Sequence, residues 1–152
     1  MSKIKTSEFA KEYLKANKDL HYNLIEDVDE YVVSSGSMNL DSYLGGGFSS
    51  GVHRFVGANE GGKTNEALQV MNNMLNTVEN SKALFVKAEG RLSKDVRKRS
   101  GITFVTDPDE WVVGTCFVFE SNVFDAVFDF LRGLLKNNPD KEKLCVVIDS
   151  MD

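Results

Sequence analysis

The sequence predicts an α/β fold, a parallel sheet with helices packed on it, and three observations carry that prediction. Short apolar runs alternate along the chain with longer segments whose apolar positions recur at helical spacing, the pattern of strand and crossover helix. One run, Leu144-Cys145-Val146-Val147-Ile148, is apolar throughout and stops at Asp149, as a strand buried on both faces does. A glycine-rich stretch, Gly57-Ala58-Asn59-Glu60-Gly61-Gly62-Lys63-Thr64, stands between the run from Val52 to Val56 and a helical pattern from Asn65 to Val78. In a sheet of this kind ligands gather at the carboxyl ends of the strands.

At 152 residues, 41% apolar and 27% charged, the chain has the balance of a globular protein long enough for a real core. A helix and acidic linker are expected over residues 1–30 and the core over residues 31–152. The net charge of −5 argues against a generally basic nucleic-acid surface. No stretch is long and apolar enough to cross a membrane, and Met1-Ser2-Lys3-Ile4-Lys5-Thr6 has no apolar signal core, which predicts a cytoplasmic protein. Cys116 and Cys145 lie inside apolar runs without metal-ligand spacing, as reduced core thiols do.

Taken in order, Thr6 to about Lys18 reads as an amphipathic helix, capped by Thr6 or Ser7, with Phe9, Tyr13 and Leu14 on one side. The acidic run at residues 26–30 is a solvated linker, and Tyr31-Val32-Val33 a short strand. Ser37 is placed to cap a short helix in which Leu40 and Leu44 share a face, ended by Gly45-Gly46-Gly47. Val52 to Val56 is the strand that feeds the glycine-rich loop. In the helix that follows, Ala67, Val70, Met71, Met74 and Leu75 form the inward face.

Ala83-Leu84-Phe85-Val86 is a buried strand ending at Lys87-Ala88-Glu89-Gly90, and a charged helix spans about Ser93 to Arg99. Residues 102–105 are extended, and Asp107-Pro108-Asp109-Glu110 is a turn or helix start. Cys116 to Phe119 is a further strand. Ser121 can cap a helix that turns Val123, Val127, Phe130, Leu131, Leu134 and Leu135 inward and stops near Pro139.

The loop fits the Walker A pattern of Gly, four free positions, then Gly-Lys-Ser/Thr, and each residue type has a reason. Gly57, Gly61 and Gly62 can take positive φ and approach an anion with no Cβ in the way. The N–H groups from Gly57, Ala58, Asn59, Glu60, Gly61, Gly62, Lys63, Thr64 and Asn65 can then converge on phosphate oxygens. The loop opens into a helix whose N-terminal dipole adds positive potential at the same point. Lys63, a catalytic candidate, would reach the β and γ phosphates as a mobile point charge, and Thr64 would take one position on Mg²⁺.

Asp149, at the carboxyl end of the last strand, looks like a Walker B aspartate, able to hold Mg²⁺ and offset triphosphate charge. Glu89 ends an earlier strand in the same way. Near a γ phosphate it could orient and deprotonate an attacking water.

The segment Ser35-Gly36-Ser37-Met38-Asn39-Leu40-Asp41, the glycine run, the loop from Gly57 to Thr64, Phe85-Val86-Lys87-Ala88-Glu89 and Val146-Val147-Ile148-Asp149-Ser150 resemble, in order and spacing, the ATPase core of RecA-type recombinases. The divergent versions encoded by bacteriophages are the most similar in character. The resemblance covers residues 31–152 and implies a P-loop fold that binds ATP with Mg²⁺ and uses Glu89 as catalytic base. It also implies filaments on single-stranded DNA, with ATP between subunits, that search for homologous duplex and exchange strands.

Val96 stands where bacterial members stack an aromatic on adenine, and Lys87 where the family often has aspartate. In that family the DNA-binding loops, the γ-phosphate sensor and the residues reaching a neighbour's ATP follow the Walker B strand, and a later strand lies between the two Walker strands. The resemblance therefore implies a core incomplete at its C-terminus: a truncated product, a protein completed by a second chain, or a sheet that closes differently.

A nucleotide-binding or assembly module without turnover is the alternative, and a ring helicase or clock-type ATPase of the same superfamily a third reading. A small-molecule kinase has less support, since no acceptor-site lid is evident. Lys94, Arg97, Lys98 and Arg99 read as a solvated helix face, His21 and His53 have no partner in sequence, and Trp111 with the phenylalanines from Phe117 to Phe130 reads as core.

Overall fold

The computed structural model describes residues 6–16, 31–88 and 92–149. The chain divides into two units, Met1–Glu30 and Tyr31–Asp152. In the first, α1 spans Thr6–Ala16 with no buried residue, and Phe9 stacks on Tyr13 one turn away, ring centroids 6.1 Å apart. The acidic run at 26–30 lies outside the described residues.

The second unit is α/β. Strands β3 (Ser81–Lys87), β4 (Thr103–Val105), β5 (Thr115–Glu120) and β6 (Lys143–Asp149) form one sheet in the order β4-β5-β3-β6, every pairing parallel. A separate antiparallel pair, β1 (Val32–Val33) and β2 (Phe48–Ser49), brackets α2 (Met38–Tyr43). Helices α3 (Lys63–Thr77), α4 (Lys94–Ser100) and α5 (Phe124–Lys136) complete it.

The alternation of side chains along β3 divides the core in two. Ala83 and Phe85 face α3, where Leu68 and Met71 meet them with Ile102 and Cys116, and Val96 of α4, Cys145 and Val147 pack alongside. Leu84 and Val86 face α5, where Val127 is buried and Phe130, Leu131 and Leu134 close the layer with Ile148, Phe117 and Trp111. Desolvation pushes the Cys116 thiol up to about 12, with Cys145 adding to it, and Cys145 up to about 11, so both free thiols stay protonated at neutral pH.

Side-chain caps explain where three short elements start. Ser37 Oγ accepts from Leu40 N at 3.4 Å and starts α2, Ser93 caps α4 by accepting from Val96 N, and Asp107 caps a 3-10 turn at Pro108–Glu110. Gly47 has φ +138°, and a Cβ there would lie 2.4 Å from Val33 O. That contact lets β2 close on β1, a pairing the sequence pattern does not reveal because each strand is two residues long.

Four expectations are corrected. Residues 52–56 form no strand: they pair with no described strand, Val52 is fully exposed and Val56 is 78% exposed, because an apolar run becomes a strand only where another strand accepts its hydrogen bonds. β6 is not buried on both sides but forms the edge of the sheet beyond β3, with Val146 37% exposed. Ser121 does not cap α5. Its Oγ accepts from Val123 N at 3.2 Å, and Val123 is the cap residue without a side-chain bond. Val123 and Leu135 are accordingly exposed. In α3, Leu68 takes a fully buried place that the helical pattern assigned to its neighbours, and Val70 is only half-buried.

Candidate functional site

The site is built where α3 begins. Gly62, at φ +86°, is the N-cap of α3 and makes no side-chain cap bond. The first intrahelical bond runs from Glu66 N to Gly62 O at 2.9 Å, so Lys63, Thr64 and Asn65 present the N–H groups that no helix satisfies internally. With the helix dipole behind them they form a positive concentration suited to an anion.

The preceding loop is braced from within. Gly61 N donates to Ala58 O at 3.1 Å across a turn in which Glu60 takes φ +58°. Lys63 Nζ bends back over it, donating to Gly57 O at 3.0 Å and Ala58 O at 2.8 Å. These contacts correct two expectations. Only Gly62 of the three loop glycines has positive φ; Gly61 is required instead by the Ala58 carbonyl, which would lie 2.9 Å from a Cβ. The Gly61 N–H is also spent inside the loop, donating to Ala58 O, and so is not turned toward an anion.

Asp149 lies at the same place. Thr64 Oγ1 donates to Asp149 Oδ2 at 3.0 Å, across 85 residues of sequence. Parallel register puts Asp149, Lys87 and Glu120 side by side at the carboxyl ends of β6, β3 and β5, on the face that α3 covers. Lys87 Nζ meets Glu120 Oε1 at 2.7 Å. This pair was not legible in the sequence, since only strand pairing shows that residues 87 and 120 are neighbours. Glu89, two residues past the end of β3, lies outside the described residues.

A hydroxyl and a carboxylate oxygen in contact are a donor set for Mg²⁺, which takes one or two protein oxygens and completes its shell with phosphate and water. Thr64 and Asp149 are of the type that ion takes; among the described residues there is no group of three or more His, Cys, Asp or Glu that could hold a metal ion.

Around this centre the segment from Ser34 to Asp41 is tied to α3. Asp41 accepts from Ser34 Oγ at 2.5 Å and Ser35 N at 2.8 Å, and these bonds hold its carboxyl below its ordinary value of 3.8. Asn73 Nδ2 donates to Ser34 O at 2.7 Å. Leu40 and Leu44 do not make a buried face; α2 has no buried residue. Beside the first turns of α3, a cavity of about 160 Å³ is lined by Asn65, Leu68, Gln69, Val96, Arg99 and Ser100.

No family model, no curated protein and no solved structure matches this chain. No helix among the described residues is long and apolar enough to cross a membrane.

Proposed function

We propose that this chain is a P-loop protein that binds ATP with Mg²⁺ at the loop and helix start from Gly57 to Asn65. The observation that carries the reading is the Thr64–Asp149 hydrogen bond, which joins the end of the glycine-rich loop to an acid at the carboxyl end of a parallel strand.

In this reading the N–H groups of Lys63, Thr64 and Asn65 hold phosphate oxygens, and Lys63 exchanges the carbonyls of Gly57 and Ala58 for them. Thr64 and Asp149 hold Mg²⁺, which when bound offsets triphosphate charge. The cavity at Val96 receives the base against an aliphatic side chain. The ordered motifs that resemble RecA-type recombinases support a DNA-dependent ATPase of recombination and repair, with Glu89 as the base and single-stranded DNA as partner. The open edge of β6 favours a second reading, a binding or assembly module that does not turn over alone.

Titration with a fluorescent ATP analogue and Mg²⁺ tests the core of this. Saturable binding is expected for the wild type and at least about a hundredfold weaker binding for Lys63→Ala, a loss of roughly 2.7 kcal/mol. Equal affinity would reject the assignment. Hydrolysis stimulated by single-stranded DNA separates the ATPase from the module.

A further inference from the structure

At the carboxyl edge of the sheet, charged residues from three neighbouring strands stand in one row. Parallel register sets Lys87 of β3 between Asp149 of β6 and Glu120 of β5. Phe85, Val147 and Cys116 belong to the α3 layer, and alternation from them puts Lys87, Asp149 and Glu120 on the same side of the sheet. The row therefore runs outward from the helix start: Thr64 on Asp149, then Lys87 one strand away at a spacing of about 4.8 Å, then Glu120.

Lys87 has a carboxylate on either hand and takes the outer one. Its Nζ meets Glu120 Oε1 at 2.7 Å, while Asp149 accepts from Thr64 Oγ1. The backbone here is tied on both sides, since Ala88 N donates to Asp149 O at 3.1 Å and Ser121 N donates to Lys87 O at 3.3 Å. The ammonium group is not tied in that way. It rides on a flexible aliphatic stem, and the side chain of its partner is 67% exposed against 25% for its own. An ion pair open to water on one side contributes little, so exchanging Glu120 for a more highly charged partner costs little.

We propose that Lys87 is a second phosphate-contacting lysine, which exchanges Glu120 for the terminal phosphate of a nucleotide bound at the start of α3. The inference rests on the nucleotide reading of residues 57–65 and deepens it, by naming the phosphate that this edge selects. Mg²⁺ on a triphosphate bridges its last two phosphates. With Thr64 and Asp149 as the protein ligands of that ion, Lys87 is the cation next along the edge. Lys63 comes to the same group from the loop, where it now covers Gly57 O and Ala58 O. A diphosphate has no such group to offer, and Lys87 then stays on Glu120. Glu120 is thus a resting counter-ion that competes with the terminal phosphate for one lysine.

The test is titration of the full chain with fluorescent analogues of ATP and ADP in the presence of Mg²⁺, each variant first checked by thermal melting. Lys87→Met should bind the ATP analogue roughly tenfold more weakly and the ADP analogue within about twofold of the wild type. Lys87→Gln takes its place throughout should the methionine variant not fold. Glu120→Gln should bind the ATP analogue about two- to fivefold more tightly, and this gain should vanish in the Lys87→Met background. Glu142→Gln removes the carboxylate of a similar pair toward the other end of β3, where Lys82 Nζ meets Glu142 Oε1 at 2.9 Å, and should leave both affinities unchanged. The proposal is overturned, and the nucleotide reading kept, by ATP affinity unaffected in Lys87→Met, an equal loss for both nucleotides, no gain in Glu120→Gln, a gain that persists without Lys87, or the same gain in Glu142→Gln. A wild type that binds neither analogue overturns the reading and the proposal together.

Discussion

Thr64 and Asp149 meet through one hydrogen bond, and the site is tested most finely at that pair. If both residues hold the same ion, Thr64→Val and Asp149→Asn each weaken Mg²⁺-dependent nucleotide binding, and the double variant is little worse than the poorer single. A double-mutant cycle on nucleotide affinity should give a coupling of about 0.5–3 kcal/mol; additive losses would mean that the two act apart. At Asp41 the prediction concerns pH. Its folded carboxyl is held below the ordinary 3.8 by Ser34 and Ser35, so it contributes stability that is present above that value and fades as pH falls through the folded one. Thermal melts of the wild type and Asp41→Asn should differ at neutral pH and converge in acid below pH 3.8. A gap that is constant with pH would show that the bonds, not the charge, matter.

Helix α3 joins site and core, because the element that presents Lys63, Thr64 and Asn65 also buries Leu68, Met71 and Met74. Met71 is completely buried against β3, and Met71→Ala should cost about 2–5 kcal/mol in denaturant unfolding; a loss under about 1 kcal/mol would mean the helix is not held by that layer. This helix was legible in the sequence because its apolar spacing repeats over four turns, although it begins at Lys63, two residues before the pattern does, since the loop glycine Gly62 caps it with backbone alone. Strand β3 and the core part of α5 were legible for the same reason. What escaped were features that need a partner far along the chain: the pairing of β1 with β2, the Lys87–Glu120 contact, and the absence of a strand at 52–56. A run of apolar residues states an affinity for burial; whether a ladder forms depends on what lies beside it.

For the whole second unit, the parallel sheet brings the carboxyl ends of β3, β5 and β6 to one edge, and α3 starts there. The glycine-rich motif and the strand-end Asp149 were legible as candidates from spacing, while the geometry was not: the Gly61 N–H is used inside the loop, Lys63 lies on loop carbonyls, and the N–H groups of Lys63, Thr64 and Asn65 precede the first intrahelical bond as donors. An assignment that places phosphate at those donors is most directly tested by following the amide resonances of Lys63, Thr64 and Asn65 during titration with ATP and Mg²⁺. These three are expected to move first and furthest, with Asp149 following only when Mg²⁺ is present. Shifts that leave residues 63–65 in place, or that gather on a surface away from the start of α3, would contradict it.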